Sequence, residues 1–377
     1  MNKLVFANLV HRPLRSLISV VAVAIEVIMI LSIVGIFMGM LNDQKARTNG
    51  IGADLMMRGS NASDMNGVGP VSMPIKLADP LRKLPHVTVV APVATSLVTS
   101  GALEIIWGID YPTYNALKPF VFISGAPPKG GTPFRGPNDV IVDNVFAARK
   151  NPATGKLYAL GDTDSILNTD FRICAIVQQS KGGRKLIPLD TMDRLIGAPG
   201  KASIFYLKLD NPANEQTVID EIHSTPGLAD YPVQTIEEWL STMIPDKMPG
   251  FNLALDTVTT IAVIVGFLVI FQTMYTAVLE RTREIGILKS MGASKPTIVG
   301  VVMRETAALA IVGLLLGIAG TFLVQYIILH FTTLQFQITP RWIAQGSAIA
   351  FAGSILGALY PAWMAARKDP IDALAYE

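Results

Sequence analysis

The sequence predicts an α-helical membrane protein with four transmembrane helices, one before and three after a large α+β extracytoplasmic domain. Four apolar runs are long enough to cross a bilayer, and a segment of about 200 residues with a globular composition separates the first run from the other three. Only 16% of the 377 residues are charged, whereas a soluble chain carries about 25%. Part of this chain therefore belongs in lipid.

The predicted spans cover residues 16–41, 251–279, 302–331 and 342–365. Each reaches the roughly 20 residues that a helix needs to cross a hydrocarbon core of ~30 Å. The first run is longer than the apolar region of a cleaved signal peptide, which has about 7 to 15 residues, and no small-residue cleavage site closes it. We expect it to act as an uncleaved signal anchor.

Basic residues flank the spans unevenly, and flanks rich in Lys and Arg are expected on the cytosolic side. They fall in residues 1–15, 280–301 and 366–377, and comprise Lys3, Arg12, Arg15, Arg281, Arg283, Lys289, Lys295, Arg367 and Lys368. The joint 332–341 carries only Arg341 and is expected outside. We therefore expect a multi-pass protein of the plasma (inner) membrane with both termini in the cytosol.

Residues 42–250 form the predicted outside domain, which is large enough for an independent core. Runs rich in β-branched residues predict strands at 87–93, 103–109, 139–142, 171–177 and 203–209. Helices are expected at 213–223 and 236–244, and surface loops at 61–74 and 125–136, where Gly and Pro are frequent. Residues 203–234 have the pattern of one strand-helix-strand unit.

The sequence lacks the motifs of several enzyme and binding classes. No G-x-x-x-x-G-K-[ST] phosphate loop is present, since Gly155-Lys156 is followed by Leu157. Cys174 is the only cysteine, which excludes an intrachain disulfide. The four histidines have no metal-ligand spacing, and a net charge of +2 does not indicate nucleic-acid binding. We expect no enzymatic activity, and no cofactor or metal bound by this chain.

The segment between the second and third spans, residues 280–301, predicts a short charged helix. Opposite charges lie three residues apart in the pairs Glu280 with Arg283 and Arg281 with Glu284, so each pair can meet on one helical face. An apolar stripe is expected from Ile285, Ile287, Leu288 and Met291. Gly292 stands where a left-handed residue would end the helix, and Ser294 and Pro296 suit the start of the next one. An ordinary charged loop is the alternative.

Two stretches resemble one known family. The first is Glu280-Arg-Thr-Arg-Glu-Ile-Gly-Ile-Leu-Lys-Ser-Met-Gly-Ala-Ser294, followed by Arg304-Glu305. The second is the tail that runs from Tyr360-Pro-Ala-Trp-Met-Ala-Ala-Arg-Lys-Asp-Pro to Glu377. Both are similar to the FtsX-like permeases of the MacB, LolC/LolE and DevC group. The resemblance covers the last ~125 residues well and the first span loosely, and Ala375 departs from the arginine common in that family.

The resemblance implies a coupling helix that docks on an ATPase. Its residues here would be Glu280, Arg281, Arg283, Glu284, Gly286, Lys289, Gly292 and Ala293. A further ATPase contact is implied at Arg367, Pro370 and Ala373 in the tail. The chain begins at its first span, so we expect a separate ATP-binding-cassette (ABC) ATPase that holds ATP and Mg. The other implied partners are a second permease copy in a homodimer, a periplasmic adaptor protein and membrane lipid.

The function implied is that of the permease subunit of an ABC exporter that works by mechanotransmission. Family members export or extract lipids, lipoproteins, peptides or hydrophobic small molecules. An FtsX-type signalling permease, which regulates cell-wall hydrolases without transport, is the alternative.

Small and polar residues inside the spans suggest how the helices pack. Close helix contacts are expected at three pairs of glycines four residues apart, Gly35 and Gly39, Gly313 and Gly317, and Gly353 and Gly357. The first pair could instead form a dimer seam. Glu26 lies ~15 Å above the cytosolic end of its span, where a carboxylate is costly. We expect it either to be protonated and bonded to Gln272 or to line the dimer seam and contact substrate.

Overall fold

The computed structural model describes residues 13–59, 69–99, 103–179, 181–247, 250–332 and 334–368. The chain divides into two compact units. One contains the first span through Met40 together with the chain from Gly250 onward, and the other is Leu41–Pro249.

The helices are numbered in chain order. They are α1 (Pro13–Ile51), α2 (Ala78–Arg82), α3 (Tyr111–Leu117), α4 (Asn144–Ala147), α5 (Leu189–Leu195), α6 (Glu215–Ser224), α7 (Ile236–Thr242), α8 (Phe251–Glu280), α9 (Thr282–Ser290), α10 (Lys295–Phe331) and α11 (Pro340–Arg367).

The strands all belong to the second unit. They are β1 (Leu55–Arg58), β2 (Met73–Pro74), β3 (Val87–Thr99), β4 (Leu103–Ile109), β5 (Phe122–Ser124), β6 (Asp139–Asp143), β7 (Thr163–Ile166), β8 (Thr169–Val177), β9 (Lys185–Pro188), β10 (Lys201–Ala202), β11 (Ile204–Leu209) and β12 (Val233–Thr235).

Four of the described helices, α1, α8, α10 and α11, are long and apolar enough to cross a membrane. This confirms the predicted pattern of one span, a large α+β domain and three spans. Helix α1 continues past the predicted span end at residue 41 to Ile51, and α10 already begins at Lys295. The apolar window of α1 is 50% buried, against 17% for α8. Helix α1 is therefore much more enclosed by its neighbours than α8.

The core of the membrane unit forms where α1 packs against the other three spans. Its buried members are Val20, Val23, Val27, Leu31, Ile270, Met274, Leu309, Ala350 and Ala358. The small alanines on α11 let that helix approach closely, which is how helices associate in lipid.

The six predicted packing glycines all make contacts within the chain. Gly313 and Gly317 of α10 abut Val23 and Val27 of α1, where an added Cβ would lie 2.7 Å from each valine Cβ. On α11, Gly353 faces Val263, and Gly357 faces the carbonyl oxygen of Phe267, both on α8. These two pairs therefore lie at contacts between helices of the same chain.

Gly35 and Gly39 pack differently from the prediction. They abut Phe336 and the backbone of Gln335, in the joint between α10 and α11. The Gln337 amide also donates to the Gly35 carbonyl at 2.8 Å. The first pair therefore seats a loop of the same chain, and no dimer contact is needed to explain it.

The domain contains a mixed sheet in which ten described strands take part. Nine follow the order β12-β1-β11-β3-β4-β9-β6-β8-β5, and β7 pairs with β8. The pairs β4 with β9 and β6 with β8 are parallel, and the other pairs are antiparallel. One core lies where α6 covers β1 and β11, with Leu55, Phe205 and Val218 buried. A second lies around β6, β8 and β9, with Val140 and Phe171 buried.

The five predicted strands correspond to β3, β4, β6, β8 and β11, and the two predicted helices to α6 and α7. The sequence pattern did not predict β1, β5, β7 and β9, nor the two-residue strands β2 and β10. The residues of β1 are all buried, so its sequence does not alternate. Strand β9 begins with the buried Lys185, which leaves only a short apolar run, and this lysine is held by Glu104 at 2.6 Å and Asp164 at 2.7 Å. Only the tertiary structure supplies those partners. The predicted loop 61–74 has described residues from 69 onward, of which Met73 and Pro74 form β2.

A nearly buried ion network fixes the last turns of α1 within the domain. Asp43 pairs with Arg47 at 3.1 Å and with Arg184 at 2.8 Å, and Arg184 also pairs with Asp143 at 3.2 Å. Arg47 in addition donates to the carbonyl of Gly182 at 2.7 Å. Burial raises the pKa of Asp143 despite the neighbouring Arg184. The C-terminal part of α1 is therefore an integral element of the domain.

Lys181 is a buried lysine of the same domain. Its ammonium donates to the carbonyl oxygen of Ile51 at 3.5 Å and to that of Lys118, and lies 5.3 Å from the centre of the Phe120 ring. Burial, assisted by the charge of Lys118, lowers the pKa of Lys181 to about 7. Between this value and the ordinary 10.5, the unfolded chain binds a proton that the folded chain does not.

Stability should therefore rise with pH across this window, by up to ~1.4 kcal/mol per pH unit from this one group. Lys181→Met should remove that part of the slope in chemical unfolding of the detergent-solubilised protein, followed by tryptophan fluorescence. Lys156→Met, at an exposed lysine, serves as the control and should leave the slope unchanged. A wild-type slope in Lys181→Met would contradict this assignment.

Candidate coupling site

Helix α9 is a separate short helix between the second and third spans. Helix α8 ends at Glu280, and the backbone of Arg281 leaves the helical region at φ −105° and ψ 16° before α9 begins at Thr282. Gly292 has φ +92°. Its amide bonds to the Lys289 carbonyl and the Ala293 amide to the Leu288 carbonyl, each at 3.0 Å. These two bonds form a Schellman motif, so the predicted left-handed stop at Gly292 is confirmed.

One face of α9 packs on the ends of the spans. Thr282, Ile285 and Gly286 are buried. Ile285 belongs to a small core with Val278 of α8, Ile298 of α10, and Ala365 and Ala366 of α11, and Leu288 and Ala293 pack against it. Helix α9 is therefore seated on three membrane helices at once.

An ion pair stands where the chain leaves α8. The Arg281 guanidinium contacts the Glu305 carboxylate at 2.9 Å, and both side chains are almost buried. Removing one member of such a pair leaves an unpaired charge, which costs about 3–5 kcal/mol. The predicted partner of Arg281, Glu284, is instead exposed on α9. That prediction is wrong because Arg281 lies outside the helix, so spacing along α9 does not govern its partner.

Lys289 joins α9 to the end of the last span. Its ammonium donates to the Ala366 carbonyl at 3.1 Å and to the Lys368 carbonyl. A cation at a helix C-terminus satisfies carbonyl groups that lack partners within the helix. Lys289 therefore points inward and caps α11.

The opposite face of α9 is open. Arg283, Glu284 and Gly292 are exposed, and so are Ile287, at 43%, and Met291, at 70%. Positions 283, 287 and 291 lie four residues apart and form one stripe. The expected single apolar stripe is thus divided, with Ile285 and Leu288 packed inward and Ile287 and Met291 outward. The outward face combines both charges with apolar side chains.

The other predicted coupling and tail residues have different places. Glu280 is the last residue of α8 and is exposed. The Arg367 guanidinium lies over the Trp363 ring, 4.5 Å from its centre. Pro370 and Ala373 lie outside the described residues.

Glu26 is buried among the membrane helices and only 3% exposed. Its carboxylate faces Gly266 of α8, with Gly353 of α11 nearby. Neither oxygen has a hydrogen-bond partner among the described residues. Gln272 is exposed, so the expected bond between them is not formed. Helix α8 turns Ile270 and Met274 inward, and position 272 therefore faces the opposite way.

The sequence pattern missed two site residues. Glu305 belongs to the family-like motif, but local spacing does not indicate its role, because its partner Arg281 lies far along the chain. Gly266 has no glycine four residues away, so no pair of glycines marks its role in the sequence. A glycine is needed at position 266 because any side chain there would meet the Glu26 carboxylate.

Fold and site define a class of protein: a membrane protein with a large domain after its first span and a short helix seated on its last three. Residues 16–225 match the model of the MacB-like periplasmic core domain, and residues 257–370 match that of the FtsX-like permease C-terminal region. The chain belongs to the FtsX-like permease family and is of the MacB type.

Relatives of known sequence agree with this assignment. The chain is similar to the macrolide export ATP-binding/permease protein MacB of Shewanella sp., with 24% identity over 395 aligned residues that cover 97% of this chain and 59% of the relative. It is also similar to an uncharacterized ABC transporter permease of Methanocaldococcus jannaschii, with 24% identity over 232 residues that cover 58% of each chain. The chain thus spans less than two thirds of the length of these relatives.

Among solved structures, the periplasmic region of MacB from Actinobacillus actinomycetemcomitans matches with a TM-score of 0.37 and 18% identity, covering 52% of this chain and 94% of that one.

The contact between Glu26 and Gly266 yields a test by second-site rescue. Gly266→Ala should lower the thermal stability of the detergent-solubilised protein, because overpacking a tight site costs about 1–3 kcal/mol. Adding Glu26→Ala should recover most of that loss by removing the carboxylate. Gly300→Ala is the control, since no atom lies within 4 Å of a Cβ there. Equal loss with and without Glu26 would show that the two residues do not meet.

Proposed function

We propose that this chain is the permease subunit of an ABC exporter, and that α9 is the element on which the ATPase acts. The observation that carries the proposal is the division of α9 into two faces. One face is locked to the ends of α8, α10 and α11, and the other presents Arg283, Glu284, Ile287 and Met291 to the outside. Exposed apolar groups bordered by charges are typical of a protein-binding surface.

The locked face gives α9 the properties of a lever. A force on the open face reaches α10 through the Arg281–Glu305 pair and reaches α11 through Lys289. These features support transmission of ATP-driven movement through the spans, rather than passage of substrate through a site on α9.

The remaining parts of the proposal rest on sequence. The basic flanks of the spans favour a cytosolic position for α9 and for both termini, in the plasma (inner) membrane. Similarity to an ABC transporter permease supports a separate ABC ATPase chain that binds ATP and Mg. A homodimer of permeases, an adaptor protein outside the membrane and a lipid, lipoprotein, peptide or hydrophobic small-molecule substrate complete the proposal. The Shewanella relative is named as a macrolide exporter, which supports a hydrophobic small molecule as the substrate.

Charge reversal on the open face tests the docking role. Glu284→Lys should reduce recovery of an ATPase with the affinity-purified permease, solubilised from its native membrane, by about ten-fold or more, because a reversed charge at an interface costs well over 1.4 kcal/mol. Glu237→Lys, the same change at an exposed residue of the domain, should recover as much ATPase as wild type. Absence of any ATPase from the wild-type sample would refute the proposal.

A substitution at Lys289 distinguishes the binding of the ATPase from the packing of α9 on the spans. Lys289→Met should leave ATPase recovery near the wild-type level, because the ammonium points into the bundle. It should lower the stability of the permease by about 1.5–3 kcal/mol, the usual value of a hydrogen bond to a charged group, as measured by thermal unfolding in detergent. The opposite outcome, lost ATPase with unchanged stability, would place Lys289 on the docking face.

A further inference from the structure

A shallow groove lies at the same end of the membrane unit as α9. It runs between the first turns of α10 and the last turns of α11, and Lys295, Val299, Gly300, Trp363, Ala366 and Arg367 line it. Gly300 leaves open space in the groove, since no atom lies within 4 Å of the position that a Cβ would take there. The groove is separate from the open face of α9.

Two cations stand at this groove. Lys295 and Arg367 are both exposed, and neither has a carboxylate partner among the residues that the structure describes. The Arg367 guanidinium is held over the Trp363 ring at 4.5 Å. Stacking of this kind fixes the plane of the guanidinium and leaves its N–H edge available for a phosphate oxygen. The groove therefore has the chemistry of a site for a phosphate group.

A partly exposed row of aromatic side chains, the aromatic ladder, leads from the groove along the spans. The Trp363 ring lies 6.2 Å from Tyr360, which lies 5.8 Å from Phe271 of α8, and Phe271 lies 6.2 Å from Phe267. Trp363 and Tyr360 are 49% and 52% exposed. Aromatic side chains at the end of a span suit the boundary between headgroups and acyl chains. The surface beyond the groove is thus apolar and suited to contact with acyl chains.

We propose that this groove binds the phosphate headgroup of an anionic phospholipid, whose acyl chains lie along the aromatic ladder. Basic grooves between membrane helices recognise such headgroups. An acidic segment of a partner protein would pair with Lys295 and Arg367 but would make no contact with the apolar surface that continues into the membrane. A phospholipid matches both the basic groove, through its headgroup, and the aromatic ladder, through its acyl chains.

The site adjoins the seat of α9. Ala366 lines the groove, and its carbonyl accepts the hydrogen bond from Lys289. A bound lipid would therefore hold the end of α11 on which α9 rests. The inference does not depend on the proposed function, because the binding needs neither ATP nor an ATPase.

The experiment measures lipid retained by the purified permease, without any ATPase. The protein is placed in nanodiscs of phosphatidylcholine with a minor fraction of phosphatidylglycerol, re-extracted, and its bound lipid counted by native mass spectrometry. Arg367→Gln should reduce retained phosphatidylglycerol about five-fold, since one basic residue near a lipid surface contributes about 1 kcal/mol, and Lys295→Gln should add a further loss. Arg367→Lys keeps the charge and should fall between wild type and Arg367→Gln.

Arg341→Gln is the matched control, because Arg341 is an exposed arginine at the other end of the same helix. It should retain phosphatidylglycerol as wild type does. Four results would overturn the proposal. Arg367→Gln could retain as much phosphatidylglycerol as wild type, or Arg341→Gln could lose as much as Arg367→Gln. The wild-type protein could retain phosphatidylcholine as well as phosphatidylglycerol, or inorganic phosphate at the same concentration could displace the bound phosphatidylglycerol. In a separate pull-down from native membrane, loss of the ATPase by Arg367→Gln, together with unchanged lipid retention in nanodiscs, would assign the groove to a partner protein.

Discussion

The ion pair between Arg281 and Glu305 determines where the chain turns out of the second span, and the position of α9 depends on it. Two opposite charges that are nearly buried must find each other, because either one alone would be costly at that depth. Their pairing ties the end of α8 to α10. With that junction fixed, Ile285 reaches the small core at the ends of three spans, and Lys289 reaches the last carbonyl groups of α11. The direction of the open face follows from these constraints.

The residues that resemble the family signature have two distinct physical roles. Arg281, Gly286, Lys289 and Ala293 face inward and seat the helix, while Arg283 and Glu284 face outward. The two sets cannot be told apart in the sequence motif, because inward-facing and outward-facing residues alternate along a helix. Substitutions in the two sets should therefore have different effects. Those in the first set should loosen α9 from the spans, and those in the second should weaken the proposed binding of the ATPase.

Glycine decides how closely the spans approach. Gly313 and Gly317 admit the valines of α1, and Gly266 makes room for the carboxyl group of Glu26. The same small residue thus serves backbone approach in one place and a polar side chain in another. The groove at the ends of α10 and α11 shows a third use, because Gly300 leaves open space beside Lys295 and Arg367.

The sequence by itself determined the four spans, the inserted α+β domain and the short helix with its stop at Gly292. These depend on the length of apolar runs, on alternation along strands and on the conformation of one residue, all of which are local. It also located five strands, but it missed several short ones, among them β1 and β9, whose surroundings on both faces come from the rest of the sheet. Only the tertiary structure decided the partners: Glu305 for Arg281, the α11 carbonyls for Lys289, Gly266 for Glu26, and a loop for Gly35 and Gly39. Such pairings join residues far apart in the chain, and a buried charge or an open space imposes no spacing that a sequence pattern could reveal.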